Sequence, residues 1–145
     1  MPFFTYRQNN SFGRFSYDDT EGVSCYVIVE AADAADADMY AQNIGLYFDG
    51  EGDCPCCGSR WSAQDSPWGT EPGDDDPSVF GQNLLDPGAH LLSGWMGDRP
   101  EGFIHYLDGR MEAFYAPNGD LLERVSIRRV AWVNGQEAEL PAAAA

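Results

Sequence analysis

Residues 23–45 read VSCYVIVEAADAADADMYAQNIG, and this stretch decides the fold. Its first part, Tyr26-Val27-Ile28-Val29, is aromatic and β-branched, which is the chemistry of a buried strand, and a strand is expected over Val23 to Glu30. The period then changes. Asp33 stands where a helix N-cap belongs, Asp36 follows at the capping-box position, and both carboxylates suit the positive end of a helix. Ala37, Tyr40, Ala41 and Ile44 recur at helical spacing, and Gly45 supplies the left-handed residue that ends such a helix. The expected helix covers about residues 33–45.

Working outward, Phe3 to Arg7 alternates as a strand, and Arg14 to Tyr17 reads as a short second one. Asp18 to Gly22 is a turn. Leu46-Tyr47-Phe48 reads as a strand that delivers a cysteine-rich stretch, and residues 62–78 form a long acidic loop with Pro67, Pro72 and Pro77. Further on, Gly102 to Leu107 and Arg110 to Tyr115 flank Asp108-Gly109, which reads as a two-residue hairpin turn. Leu121 to Val133 alternates and breaks phase at Arg128-Arg129, a bulge signature, and Asn134-Gly135 opens a last hairpin into Gln136 to Leu140. The expectation is an α+β fold in one domain, residues 1–145. It has an antiparallel sheet, one main helix, a zinc-knuckle-like loop, a C-terminal β-meander and a frayed tail at 141–145.

The formal charge of −16 comes from 24 acids against 8 bases, and every base is Arg. Between Asp18 and Asp76 lie fifteen acids and a single Arg, Arg60, so the first half carries nearly all the net charge. Such a field repels nucleic acid and anionic lipid and attracts a basic protein or a cation. No run of about 18 apolar residues exists to span a bilayer, and the N-terminus lacks the basic start and apolar core of a signal peptide. A cytoplasmic setting is therefore expected, with reduced cysteines and metal chemistry favoured over disulfides.

Cys54-Pro55-Cys56-Cys57-Gly58 spells a zinc knuckle: two thiolates three residues apart, a Pro that presets the turn, and a Gly that lets the chain reverse beside the metal. Cys54 and Cys57 are the expected ligands of a structural zinc. A closed site needs two more, for which His105 and Cys25 are the first choices and Cys56 and His90 the alternatives. The ordinary reading beside this one is a turn with free thiols, a buried Cys25 acting as a small hydrophobe, and a hydrogen-bonded core His105. A redox pair is disfavoured because Gly58-Ser59-Arg60-Trp61 does not open a helix.

The chain resembles a family of small uncharacterised proteins of bacteriophages that infect actinobacteria. The likeness rests on Tyr-Val-Ile-Val-Glu-Ala at 26–31, Gly-Leu-Tyr-Phe-Asp-Gly at 45–50 and Asp-Cys-Pro-Cys-Cys-Gly-Ser-Arg-Trp at 53–61. Phe-Thr-Tyr-Arg-Gln-Asn-Asn at 4–10 and Phe-Ile-His-Tyr-Leu-Asp-Gly at 103–109 extend it over most of the chain. The resemblance implies an origin and no mechanism.

No nucleophile elbow, phosphate loop or HExxH motif is present. The expected function is therefore a non-enzymatic phage accessory protein that binds a basic or nucleic-acid-binding host protein in the host cytoplasm, in one form by imitating nucleic acid. Asp74, Asp75 and Asp76 are the expected partner-binding acids. The rival from another class is a metal-dependent hydrolase or small-molecule enzyme using His90, His105 and Asp108; a minor virion component is a third reading.

Overall fold

The computed structural model describes residues 1–9, 16–48, 60–67, 69–91, 96, 98–116, 122–127, 130–133 and 136–139. The cysteine stretch, the second expected strand at Arg14-Phe15 and the turn at 117–120 lie outside the described residues.

The first strand, β1 (Phe3–Arg7), pairs antiparallel with β2 (Tyr26–Glu30), placing Phe4 opposite Val29 and Tyr6 opposite Val27. The helix α1 (Ala34–Asn43) follows. Asp33 caps it as expected, its Oδ1 accepting the Asp36 N–H at 2.9 Å, and Gly45 sits just past its end at φ 112°. Ala34, Ala37 and Ala41 form the buried stripe, and their small side chains let the helix lie close on the sheet. Leu46 is buried in the same cluster and Phe48 stacks on Tyr6, but no strand forms there. Leu46 and Phe48 fill the core there while Tyr47 is exposed, and the run is not sheet.

The long acidic loop contains structure of its own. It forms a tight hairpin of β3 (Asp65–Ser66) and β4 (Gly69–Thr70), and a second, β5 (Ser78–Val79) and β6 (Gln82–Asn83), follows it closely. The chain then enters β7 (Gly102–His105), β8 (Met111–Tyr115) and β9 (Glu123–Ile127), which pair antiparallel in succession as the expected meander. The β7–β8 turn is longer than two residues. Tyr106 N–H donates to the Arg110 carbonyl and Gly109 N–H to the Tyr106 carbonyl, so three residues make the loop, with Gly109 at φ 94°. The expected long final strand holds two strands, with residues 128–129 between them outside the described residues. Its second part, β10 (Val130–Val133), pairs only with β11 (Gln136–Glu139) among the described residues.

The main sheet runs β1-β2-β7-β8-β9. The β2–β7 junction at its centre is parallel, where the sequence suggested antiparallel pairing throughout. The connection over residues 31–101, α1 included, makes that crossover. Register puts Phe4, Tyr6, Val27, Val29, Phe103 and His105 on the helix face. Phe3, Ile28, Ile104 and Phe114 lie on the other face, where Val79, Leu84 and Leu91 cover them. Among the described residues, no helix is long and apolar enough to cross a membrane.

Candidate functional site

Strand β1 is an edge, and its main chain can be followed group by group. Gln8 N–H donates inward to the Cys25 carbonyl, so the even-numbered residues face β2 and the odd-numbered ones face away from it. Phe3 exchanges two bonds of 2.8 Å with Asp74 across the outer side, and Asn9 N–H reaches the Arg60 carbonyl at 2.8 Å. Between these two clamps lie five residues of edge, about 20 Å from clamp to clamp. Among the described residues, only the Thr5 carbonyl is occupied there, by Gln64 Nε2 at 2.8 Å. The Thr5 N–H, the Arg7 N–H and the Arg7 carbonyl have no partner among the described residues. They open into a groove of about 1090 Å³.

The groove exists because the neighbouring segment cannot close onto β1. Residues 60–64 start alongside the strand and then leave it. Asp38, on α1, accepts Gln64 N–H at 2.9 Å on Oδ1 and Asp65 N–H at 3.0 Å on Oδ2, and takes the Tyr6 hydroxyl at 2.6 Å as well. Donors that could have joined the sheet are thus held by a helix carboxylate, and the burial of Trp61 under α1 anchors the same segment. Burial and the adjacent Asp38 charge push the Tyr6 hydroxyl well above the tyrosine range, so it stays a donor.

The opposite lip is the β5–β6 hairpin, tied to β1 by Thr5 Oγ1 donating to the Ser78 carbonyl at 2.6 Å. Its two turn residues, Phe80 and Gly81, both have positive φ, 52° and 77°. That is the geometry of a type I′ turn, which favours Asn or Gly at the position Phe80 holds. Phe80 is 72% exposed, lies edge-on to Tyr26 and carries the Arg7 guanidinium over its ring at 4.6 Å.

The charges sort into two kinds. Asp18, Glu30, Asp33, Asp38, Asp65 and Asp76 each accept a hydrogen bond that holds a turn, cap or loop. Asp76 was grouped with the partner-binding acids by sequence, but it is half-buried and receives Asn83 Nδ2 at 3.1 Å. Glu71, Asp74 and Asp75 are exposed with no such duty, and Glu71 and Asp74 line the groove. Of the unengaged carboxylates between residues 60 and 76, those of Glu71 and Asp74 therefore stand in the groove.

The expected metal ligands are placed as follows. Cys54, Cys56 and Cys57 lie outside the described residues. His105 is 1% exposed and both ring nitrogens are engaged, Nε2 with the Gly22 carbonyl and Nδ1 with the Tyr40 hydroxyl, each at 2.8 Å. A carbonyl can only accept, so Nε2 carries the proton and Nδ1 accepts from Tyr40, leaving no lone pair for a metal. Cys25 stands four residues along β2 from Val29, the register partner of His105, about 13 Å away at strand rise. The structure does not bring the two together. Burial, aided by the Glu101 charge, pushes the Cys25 thiol up to about 12, so it is not a thiolate at neutral pH. His90 is exposed with Nδ1 near the Gly88 carbonyl, and Asp108 is held by Arg110 at 2.7 Å in the β7–β8 turn. His90, His105 and Asp108 therefore form no common centre. Among the described residues, no group of three or more His, Cys, Asp or Glu could hold a metal ion.

Sequence reasoning missed Phe80, Asp38 and the open edge. A Phe-Gly pair carries no turn signal, and an Asp inside a helix reads as a solvated face. The alternation of β1 was legible, but whether its outer side is covered is a tertiary fact.

A family model described as Domain of unknown function (DUF7296) matches residues 1–123, so the chain belongs to that family. No curated protein and no solved structure matches it.

Proposed function

We propose that this family member is a non-enzymatic accessory protein of a phage, which binds a basic host protein in the host cytoplasm through the groove beside β1. The observation that carries the reading is the placing of Glu71 and Asp74, whose exposed carboxylates hold no turn or cap, in the lining of an open groove, with exposed Asp75 next in the chain. Such a rim steers a cationic partner and contributes more to the rate of encounter than to residence. The likeness of residues 26–31, 45–50 and 53–61 to proteins of actinobacterial phages supports the origin and the host setting. A structural zinc on Cys54 and Cys57 belongs to the same proposal, with its other ligands sought away from His105 and Cys25.

The test is capture of the tagged protein from infected cells, with elemental analysis of the same sample, followed by binding kinetics with the purified partner. Raising salt from about 0.1 M to 1 M shrinks the Debye length from about 10 Å to about 3 Å. The combined variant E71Q/D74N/D75N should lower the on-rate by roughly threefold to tenfold and leave the off-rate nearly unchanged. Asp76 stays intact because its bond to Asn83 holds the hairpin. An on-rate indifferent to both salt and the variant would overturn the reading.

A further inference from the structure

We propose that the groove takes an extended, cationic peptide segment of the partner as an added strand along β1. This rests on the preceding reading and states how the partner is held. Three main-chain groups of β1 face the groove in ladder geometry without a partner among the described residues: Thr5 N–H, Arg7 N–H and the Arg7 carbonyl. A residue placed opposite Arg7 would exchange two hydrogen bonds with it, and the residue two further along would accept from Thr5 N–H, whose own carbonyl is already served by Gln64.

The edge is not a flat, open one of the kind that proteins avoid exposing. It is recessed between two lips and clamped at both ends, at Phe3–Asp74 and Asn9–Arg60, so a long strand cannot run past it. The clamps limit the occupant to a short segment. Lips at two levels suit the alternate side chains of a strand. One set would face Phe80, whose exposed ring is held by a backbone conformation costly for a bulky residue. The other set would face Ala63 and Gln64. Glu71 and Asp74 on the wall select positive charge.

The experiment is amide hydrogen exchange on the full chain, read residue by residue. The probes are an acetylated heptapeptide alternating Lys and Val, and its fully N-methylated version, which keeps the charge and loses every main-chain donor. In the free monomer, Phe4 and Tyr6 amides should be protected and Thr5 and Arg7 amides should exchange quickly. The Lys/Val peptide should slow Thr5 and Arg7 by about tenfold or more, and the N-methylated peptide should not. Arg7→Pro removes an outward N–H that no ladder bond uses, and should abolish binding of the Lys/Val peptide; Arg7→Ala keeps that N–H and should retain binding.

Equal effects of the two peptides, or none, would overturn strand addition. If the captured partner still bound with salt-dependent kinetics, the acid-steered reading would stand without it. Protection of Thr5 and Arg7 in the free monomer would show that the chain itself covers this edge. Protection that grows with protein concentration alone would show that a second copy does. Either result overturns the proposal.

Discussion

A methyl group added at Gly22 would sit 2.4 Å from Met111 Sδ and 2.6 Å from His105 Cε1, on a backbone at φ 81°. Met111 could swing aside, but His105 is pinned through both nitrogens, one of them to Gly22 itself. Gly22→Ala should therefore cost about 2–3 kcal/mol or more, measured as a lower urea midpoint. Phe80 is the reverse case. Its left-handed conformation costs roughly 1–2 kcal/mol that Asn largely avoids, while its 72% exposure limits what its ring contributes. Phe80→Asn should raise stability by about 0.5–1 kcal/mol and weaken partner binding, a trade that marks a functional side chain. At this scale the sequence was uneven evidence. Asp33 was legible as a cap because its partner, Asp36, is three residues away. His105 was read as a ligand because its partners, Tyr40 and Gly22, lie 65 and 83 residues away and leave no trace in local spacing.

Among the elements, α1 and β2 were legible because their signals are periodic and local. The β7–β8 hairpin was legible too, apart from its turn, where Asp108-Gly109 suggests two residues and the G1-bulge form uses three. The segment 46–48 was misread because three apolar residues cannot reveal whether they pair or only pack. The course of residues 60–65 was not legible at all, since it depends on Asp38. Asp38→Ala removes the acceptor of the Tyr6 hydroxyl and of two main-chain N–H groups. It should cost about 2–3 kcal/mol by chemical denaturation, with faster amide exchange at Gln64 and Asp65 and little change in β8.

For the whole molecule, burial makes folding a restraint on ionisation at high pH. Tyr6, Tyr26 and Tyr106 are held above their ordinary value of 10.0, and Cys25 is moved from 9.0 to about 12, each with burial as the largest cause. The folded chain keeps these protons after the unfolded chain has lost them. Their stabilisation is complete below the unfolded values, falls as pH rises past 9 to 10, and for the Cys25 thiol is gone above about 12. A group still protonated when folded and ionised when unfolded takes away about 1.4 kcal/mol per pH unit. Urea midpoints should therefore drop steeply between about pH 8 and about pH 11, with several groups acting together. The charge of −16 adds self-repulsion as the tyrosinates form.

The parallel β2–β7 junction also bears on how the chain is made. Every residue from 31 to 101 must leave the ribosome before Val27 can meet Phe103, and closing so long a loop yields no sheet bond until it is finished. During synthesis the Tyr26-Val27-Ile28-Val29 strand waits with one side uncovered, paired at best with β1. Cells producing this protein handle a nascent chain in which β2, the second of the described strands, gains its neighbour on that side only with residues 102–105. The charge of −16 adds repulsion between such unfinished chains while that strand is still exposed.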